Sequence, residues 1–207
     1  MSWRCWAAAA ALASLSACST PPRAGAWASA WADTIDQLAP TQVLLLGEQH
    51  DASEHQQLHA RIVGRLAEQG RLAALVIEMA PAGGHTEGLN AQASEAEVKA
   101  ALRWEEAAWP WSAYGPVVMA AVRARVPVRG GNLPLAQLRG QMADRTLEAR
   151  LSPEALGRQQ ALIREGHCGL LPDSQIAPMA RMQIARDLSM ATAIAEALPQ
   201  AWPGQVM

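Results

Sequence analysis

The chain has no phenylalanine and a single tyrosine, so its aromatic surface rests almost wholly on eight tryptophans. Lysine is nearly missing too: Lys99 is the only one among 17 basic residues, the rest being arginine. With alanine abundant, this skew reads as genomic composition bias. The formal net charge is −2 and no basic stretch is concentrated anywhere, which argues against a nucleic-acid partner, since such proteins neutralise phosphates with a cationic patch. No apolar run reaches the roughly 20 residues that span a bilayer. Cysteines number three, and Cys5 and Cys18 lie near the start, which leaves Cys168 alone in the body and excludes an intrachain disulfide framework there. No internal repeat is found. Half of the residues are apolar, enough for a sizeable core in one domain and too many for a disordered chain.

What is present begins with a leader. Arg4 supplies a basic start, residues 6–15 a short apolar stretch, and Leu15-Ser16-Ala17-Cys18 two small residues before a thiol. The tetrapeptide resembles a bacterial lipobox. That resemblance implies cleavage before Cys18 and a diacylglycerol on its sulfur. The mature protein would then be lipid-anchored at the bacterial cell envelope, facing the periplasm or on the outer membrane. Acyl chains anchor because each buried CH₂ contributes about 0.8 kcal/mol, and stable attachment takes more than one chain. On this reading residues 1–17 are signal peptide, residues 18–25, with Pro21 and Pro22, are a tether, and residues 26–207 form a single α/β domain.

Val43-Leu44-Leu45-Leu46 is a continuous apolar run ending at Gly47, and residues 73–77 form another ending at Glu78. Such runs suit strands buried on both faces of a parallel sheet. Residues 126–128 are a shorter candidate whose Pro127 places it near an edge or at a strand start. Helical patterns fit residues 54–69, with Leu58, Ile62 and Leu66 on one stripe, and residues 113–125, 153–165 and 178–198. Ser94 with Glu97 is a capping-box signature for a helix running to about Arg103. Strands alternating with helices predict an α/β fold, a mostly parallel sheet with flanking helices, whose ligands gather at the carboxyl ends of the strands. The sequence stops at Gly204-Gln205-Val206-Met207, where a further strand would begin, so the sheet is expected to lack its last strand or strands.

Chemistry-bearing residues collect where the first two apolar runs end. Gly47-Glu48-Gln49-His50-Asp51 follows the first run, and Glu78 follows the second. His55 and His59, four apart, share the apolar face of the first helix and point inward. If the two strands are neighbours, Glu48, His50 and Glu78 meet. Two carboxylates and a histidine can bind a metal or share a proton as an acid/base pair, and the same residues also suit capping helices and holding loops. Trp104, Trp109 and Trp111 crowd round Tyr114, with Ser112 placed to cap a helix. Aromatics at that density usually belong to a core, yet a phenol is also a ligand for haem iron, and flat indoles suit a flat macrocycle. His167-Cys168, in a loop between helices, adds two further possible ligands.

Taken together, Gly47-Glu48-x-His50-Asp51 with His55, Glu78-Met79, Trp109 with Tyr114-x-Pro116, Asn132-x-Pro134, His167-Cys168-Gly169 with Leu171-Pro172, and Met179, Gln183, Arg186-Asp187 and Met190-Ala191 resemble the ChaN family of haem-binding, iron-regulated lipoproteins. The resemblance implies an α/β domain that binds haem, with stacked haems enclosed between two copies, and a role in haem or iron uptake. It also implies tyrosine ligation of the iron. Tyr114 is the one tyrosine that can carry that role, with His167 the runner-up, and Trp104 and Trp109 supply apolar contact. Arg123, Arg125 and Arg181 are candidates for pairing with the propionates. The remaining haem-site candidates are His50, Glu48, Glu78 and His55. The wider group, with erythromycin esterases and Tiki-type metalloproteases, joins an early Gly-Glu-x-His element to a late Gly-x-x-His element, and only the first is present here. The alternative is therefore a metal-dependent hydrolase using Glu48, His50 and Glu78 with a metal-bound water. A third possibility is a membrane-tethered interaction module with a purely structural acidic cluster.

Overall fold

The computed structural model describes residues 24–38 and 41–198. The lipobox, most of the tether and the last residues, 199–207, lie outside the described residues. Contacts divide the chain into two units, residues 1–37 and 38–207. The first contains α1, Ala24–Gln37, whose opening residues Ala24 and Gly25 had been assigned to the tether.

In the second unit, α2 (Ser53–Glu68) buries Ile62 and Leu66 of the expected stripe, with Leu58 half-buried, and Val63 and Gln56 beside them. It stops at a Schellman turn, in which Arg71 N–H donates to Leu66 O at 2.9 Å and Gly70 N–H to Ala67 O at 3.0 Å. Gly70 takes the left-handed conformation (φ 66°) that the turn needs and a side chain resists. The chain then enters β1 (Leu75–Pro81), which pairs in parallel with β2 (Val128–Asn132). Both strands lie a few residues later than the apolar runs suggest, so Glu78 sits within β1 and does not end it. Pro127 precedes β2, as expected of a residue that cannot donate to a ladder, and its carbonyl accepts from Leu75 N–H at 2.9 Å. Gly130 is required by close approach: a Cβ there would overlap the backbone carbonyls of Ala80 and Pro81.

Residues 43–46 are not a strand, contrary to the sequence expectation. A continuous apolar run makes a doubly buried strand only where a neighbouring strand takes up its backbone groups, and no ladder partner exists for it among the described residues. Leu45 is accordingly 78 % exposed. The fold is thus α/β with a sheet of two parallel strands among the described residues, its strands flanked by helices.

The capping box at α3 (Glu95–Ala101) forms as predicted, with Ser94 and Glu97 exchanging hydrogen bonds. Helix α4 (Trp111–Arg123) begins earlier than expected: Ser112 lies inside it, and the Glu106 carboxylate caps it by accepting from Trp111 N–H at 2.9 Å. Helix α4 packs on α2, and α7 (Asp173–Ala197) packs across β2 and reaches β1. Two short elements had no expectation: α5 (Leu135–Gln141) and a 3₁₀ turn at Arg145–Arg150. The Arg181 side chain fastens both regions to α7, donating to Glu148 at 2.7 Å and to Met142 O at 2.8 Å. Helix α6 (Pro153–Gly166), capped by Ser152, completes the order. Leu102, Val98, Val118 and Val128 are fully buried at the centre. No helix among the described residues is long and apolar enough to cross a membrane.

Candidate functional site

Glu48 leaves the end of the 43–47 run with its side chain 7 % exposed, and such a carboxylate needs donors. It receives three neighbours from three places. Tyr114, in the first turns of α4, donates its hydroxyl to Oε1 at 2.8 Å. The Nδ1 of His50, two residues on, lies 2.7 Å from the same oxygen. The Nδ1 of His59, from α2, stands 3.5 Å from Oε2. A carboxylate can only accept, so Nδ1 of neutral His50 carries the proton and Nε2 the lone pair. His50 is half exposed, at 49 %, and meets the edge of Trp109 with ring centroids 4.9 Å apart. Trp109 in turn packs edge-on against Tyr114, and Trp104 packs against Trp111.

Burial separates the titrating groups. It pushes the Tyr114 hydroxyl well above the ordinary phenol range, and donation to Glu48 pushes the same way. Burial also holds the His59 imidazole below its usual value, outweighing the opposite pull of Glu48. His55 stands apart from this group: its Nδ1 accepts from Gln49 N–H at 3.0 Å, so it holds the 49–55 loop.

Behind the group lies a cavity of about 640 Å³ between residues 43–48 and β1, walled by α2 and α7. Its sides are aliphatic, with Leu44, Ile62, Val76 and Met190 among them, and Glu48, His50, Tyr114 and Glu78 also line it. Glu48 and Glu78 thus share one cavity, as the sequence suggested, although neither ends a strand, and they are differently engaged. Glu78 accepts from Arg186 Nη2 at 2.8 Å, and Arg186 Nε donates to Asn132 at 3.2 Å. The Glu48, His50 and Glu78 metal set is therefore not assembled, because a guanidinium occupies Glu78. Among the described residues no three His, Cys, Asp or Glu side chains are placed to hold a metal ion.

The other expected residues fall elsewhere. His167 closes α6, exposed, with Nδ1 2.7 Å from Ile163 O, beside a turn that Arg164 fastens to Asp173. Arg186 lies about 20 Å along α7 from Asp173, at 1.5 Å per residue, and His167 is not among the residues that line the cavity. Arg123 is in the last turn of α4, about 14 Å along the axis from Tyr114 by the same rise. Arg181 is buried against Glu148. The guanidinium at the site is that of Arg186; it and Asn132 enter the sequence reading only among the residues of the family resemblance, with no role assigned, and Gln56 is not singled out there.

A family model described as "Haem-binding uptake, Tiki superfamily, ChaN" matches residues 34–207. The chain belongs to the ChaN family. A solved structure, "Cofacial heme binding to ChaN of Campylobacter jejuni", superposes with a TM-score of 0.63 at 20 % sequence identity, covering 85 % of this chain and 72 % of that one. At that identity it shows a shared ChaN fold. No curated protein matches the chain.

Proposed function

We propose that the chain binds haem as cargo and takes part in haem or iron uptake at the bacterial cell envelope, held to a membrane by lipid on Cys18. The observation that carries the haem reading is the half-exposed His50, packed on Trp109 and braced by Glu48, at the polar end of a 640 Å³ aliphatic cavity. The residues fit the cargo. Small-molecule sites measure roughly 300–1,000 Å³, with apolar walls and few orienting polar groups. Indole edges and aliphatic walls suit a porphyrin, an imidazole suits its iron, and Arg186 is the guanidinium at hand for a propionate. Membership of a haem-binding uptake family supports the same reading. Leu15-Ser16-Ala17-Cys18 supports the anchor.

Haemin titrated into the purified mature protein should give a saturable Soret shift. A spectrum equal to the sum of free haemin and protein at all ratios removes the haem reading. The anchor is tested separately by intact mass. Wild type extracted from membranes should carry the diacylglycerol adduct, Cys18→Ala should retain its leader, and an unlipidated mature chain from the wild type sinks the assignment.

A further inference from the structure

Helices α2 and α4 lead into β1 and β2, which run parallel with Leu75 beside Val128, so both helices end at the amino edge of the sheet. That edge is marked by arginine. Arg65 lies in the last turn of α2 and Arg123 in the last turn of α4, while Arg71 and Arg125 stand in the turns that follow. Arg123 and Arg125 are exposed, and neither has a hydrogen bond or ion pair among the described residues. The acids of α2 and α7 at the same edge are Glu68 and Glu196, the latter beside Ala197, which packs on Ala74. Arginine outnumbers them.

Arg125 holds a conformation that its side chain opposes. After α4, Val126 N–H donates to Ala121 O and Arg125 N–H to Val122 O, each at 2.9 Å, the same Schellman turn that Arg71 and Gly70 make after α2. The left-handed position is Gly70 in one turn (φ 66°) and Arg125 in the other (φ 61°). Glycine takes that conformation freely, and an L side chain is strained in it. Arg103, in the like turn after α3 (φ 52°), uses its guanidinium within the fold, donating to Ala82 O at 3.4 Å. Arg125 has no such partner, and strain kept under an exposed side chain points to a task outside the fold. The chain also enters this unit on the same side, since the carbonyl of its first residue, Leu38, accepts from Arg71 Nη2 at 3.3 Å.

We propose that this arginine edge lies on the anionic phospholipid headgroups of the membrane that carries the protein. Guanidinium matches phosphate in a bidentate geometry, and each arginine near an anionic surface strengthens binding about five-fold. The attraction fades within a Debye length, about 10 Å at 0.1 M salt, so it acts on a protein already held close. The lipid on Cys18 holds it close, and the inference rests on that reading for its place in the cell. Helix α4 then stands between the bilayer and the haem cavity, with Tyr114 about 14 Å along its axis from Arg123. His50 and Trp109 face away from the membrane, on the aqueous side from which haem arrives.

The test uses the mature chain with Cys18→Ser, which carries no lipid, and vesicles of phosphatidylcholine alone or mixed with phosphatidylglycerol. The chain should sediment with the mixed vesicles only and be released as salt is raised. Arg123→Gln with Arg125→Gln should weaken that binding about 25-fold. Arg139→Gln with Arg158→Gln, on α5 and α6, removes the same charge from exposed positions elsewhere and should leave it unchanged. Arg125→Gly should weaken binding about five-fold and yet raise the thermal midpoint by about 2–4 °C, because it relieves the turn. Hydrogen exchange on the mixed vesicles should slow at residues 122–126 and stay as in solution at residues 48–50. Equal binding to both vesicles, binding to neither, equal loss in the two double variants, a midpoint lowered by Arg125→Gly, or slowed exchange at residues 48–50 overturns the surface. The anchor fails separately, on an unlipidated wild type by intact mass, and vesicle binding of the Cys18→Ser chain then still stands.

Discussion

At Glu48 two side-chain donors converge on one oxygen, Tyr114 from α4 and His50 from the loop before α2, and His59 stands at the other oxygen. Replacing Tyr114 by Phe keeps the ring and its contacts with Trp104 and Trp109 but removes a donor from a carboxylate that is 7 % exposed. Urea denaturation of the ligand-free protein should show a loss of about 1–2 kcal/mol, the cost of leaving a buried acceptor short of a partner. His59 gives a pH effect of definite sign. Its folded value lies below the ordinary 6.5, so the unfolded chain takes up the proton first as pH falls. Stability is full above that ordinary value, declines through the window down to the lowered folded value, and is flat below it. Urea midpoints compared at neutral and mildly acidic pH should fall more for wild type than for His59→Gln, and equal falls would mean that another group dominates. Much of this was legible in the sequence. Glu48 and His50 are two residues apart after an apolar run, and Tyr114 has no rival. The residue Arg186 belongs to the family resemblance, but its pairing was hidden because its partners, Glu78 and Asn132, are 108 and 54 residues away, a distance no local pattern spans.

Elements were read best where a local device marks them. The Ser94–Glu97 box opens α3, and of the predicted α2 stripe Ile62 and Leu66 are buried and Leu58 is half-buried. Ser152→Ala removes the acceptor of Ala155 N–H and should cost about 1 kcal/mol by chemical denaturation, since α6 has no buried residue to compensate for a lost cap. The strands were read less well, because an apolar run states that burial is wanted but not which neighbour provides it. Residues 43–46 show this, lying beside a cavity instead of in a ladder. Helix α4 was misjudged at its start for a related reason: its cap is supplied by Glu106 from the preceding loop, not by Ser112. The pairing of β1 with β2 depends on Gly130, where a methyl group would meet two backbone carbonyls that cannot step aside. Gly130→Ala should therefore cost at least 2–3 kcal/mol, the upper range for an overpacked site, and lower the thermal midpoint. A midpoint unchanged from wild type would show that the strands can separate at that point without loss.

On the scale of the whole molecule, two surfaces invite association, and they predict different things. Among the described residues β1 has β2 on one side and the cavity on the other, and Leu45 stands exposed at its rim. An unpaired strand edge beside apolar surface favours contact between chains, and Leu45→Lys should suppress association of that kind. Haem adds a second route. A flat ligand seated against His50 and Trp109 would leave its other face for a second loaded copy to cover. If two copies close on their haems, binding and dimerisation strengthen each other by the same factor, and apparent haem affinity rises with protein concentration. Sedimentation velocity recorded at the Soret wavelength should then show the Leu45→Lys protein as a monomer without haemin and as a dimer carrying two haems with it. Haem-loaded protein that sediments as a monomer at every concentration, with its Soret shift intact, would mean that a single copy covers both faces, and residues 43–46 would be the nearest segment able to close over the second.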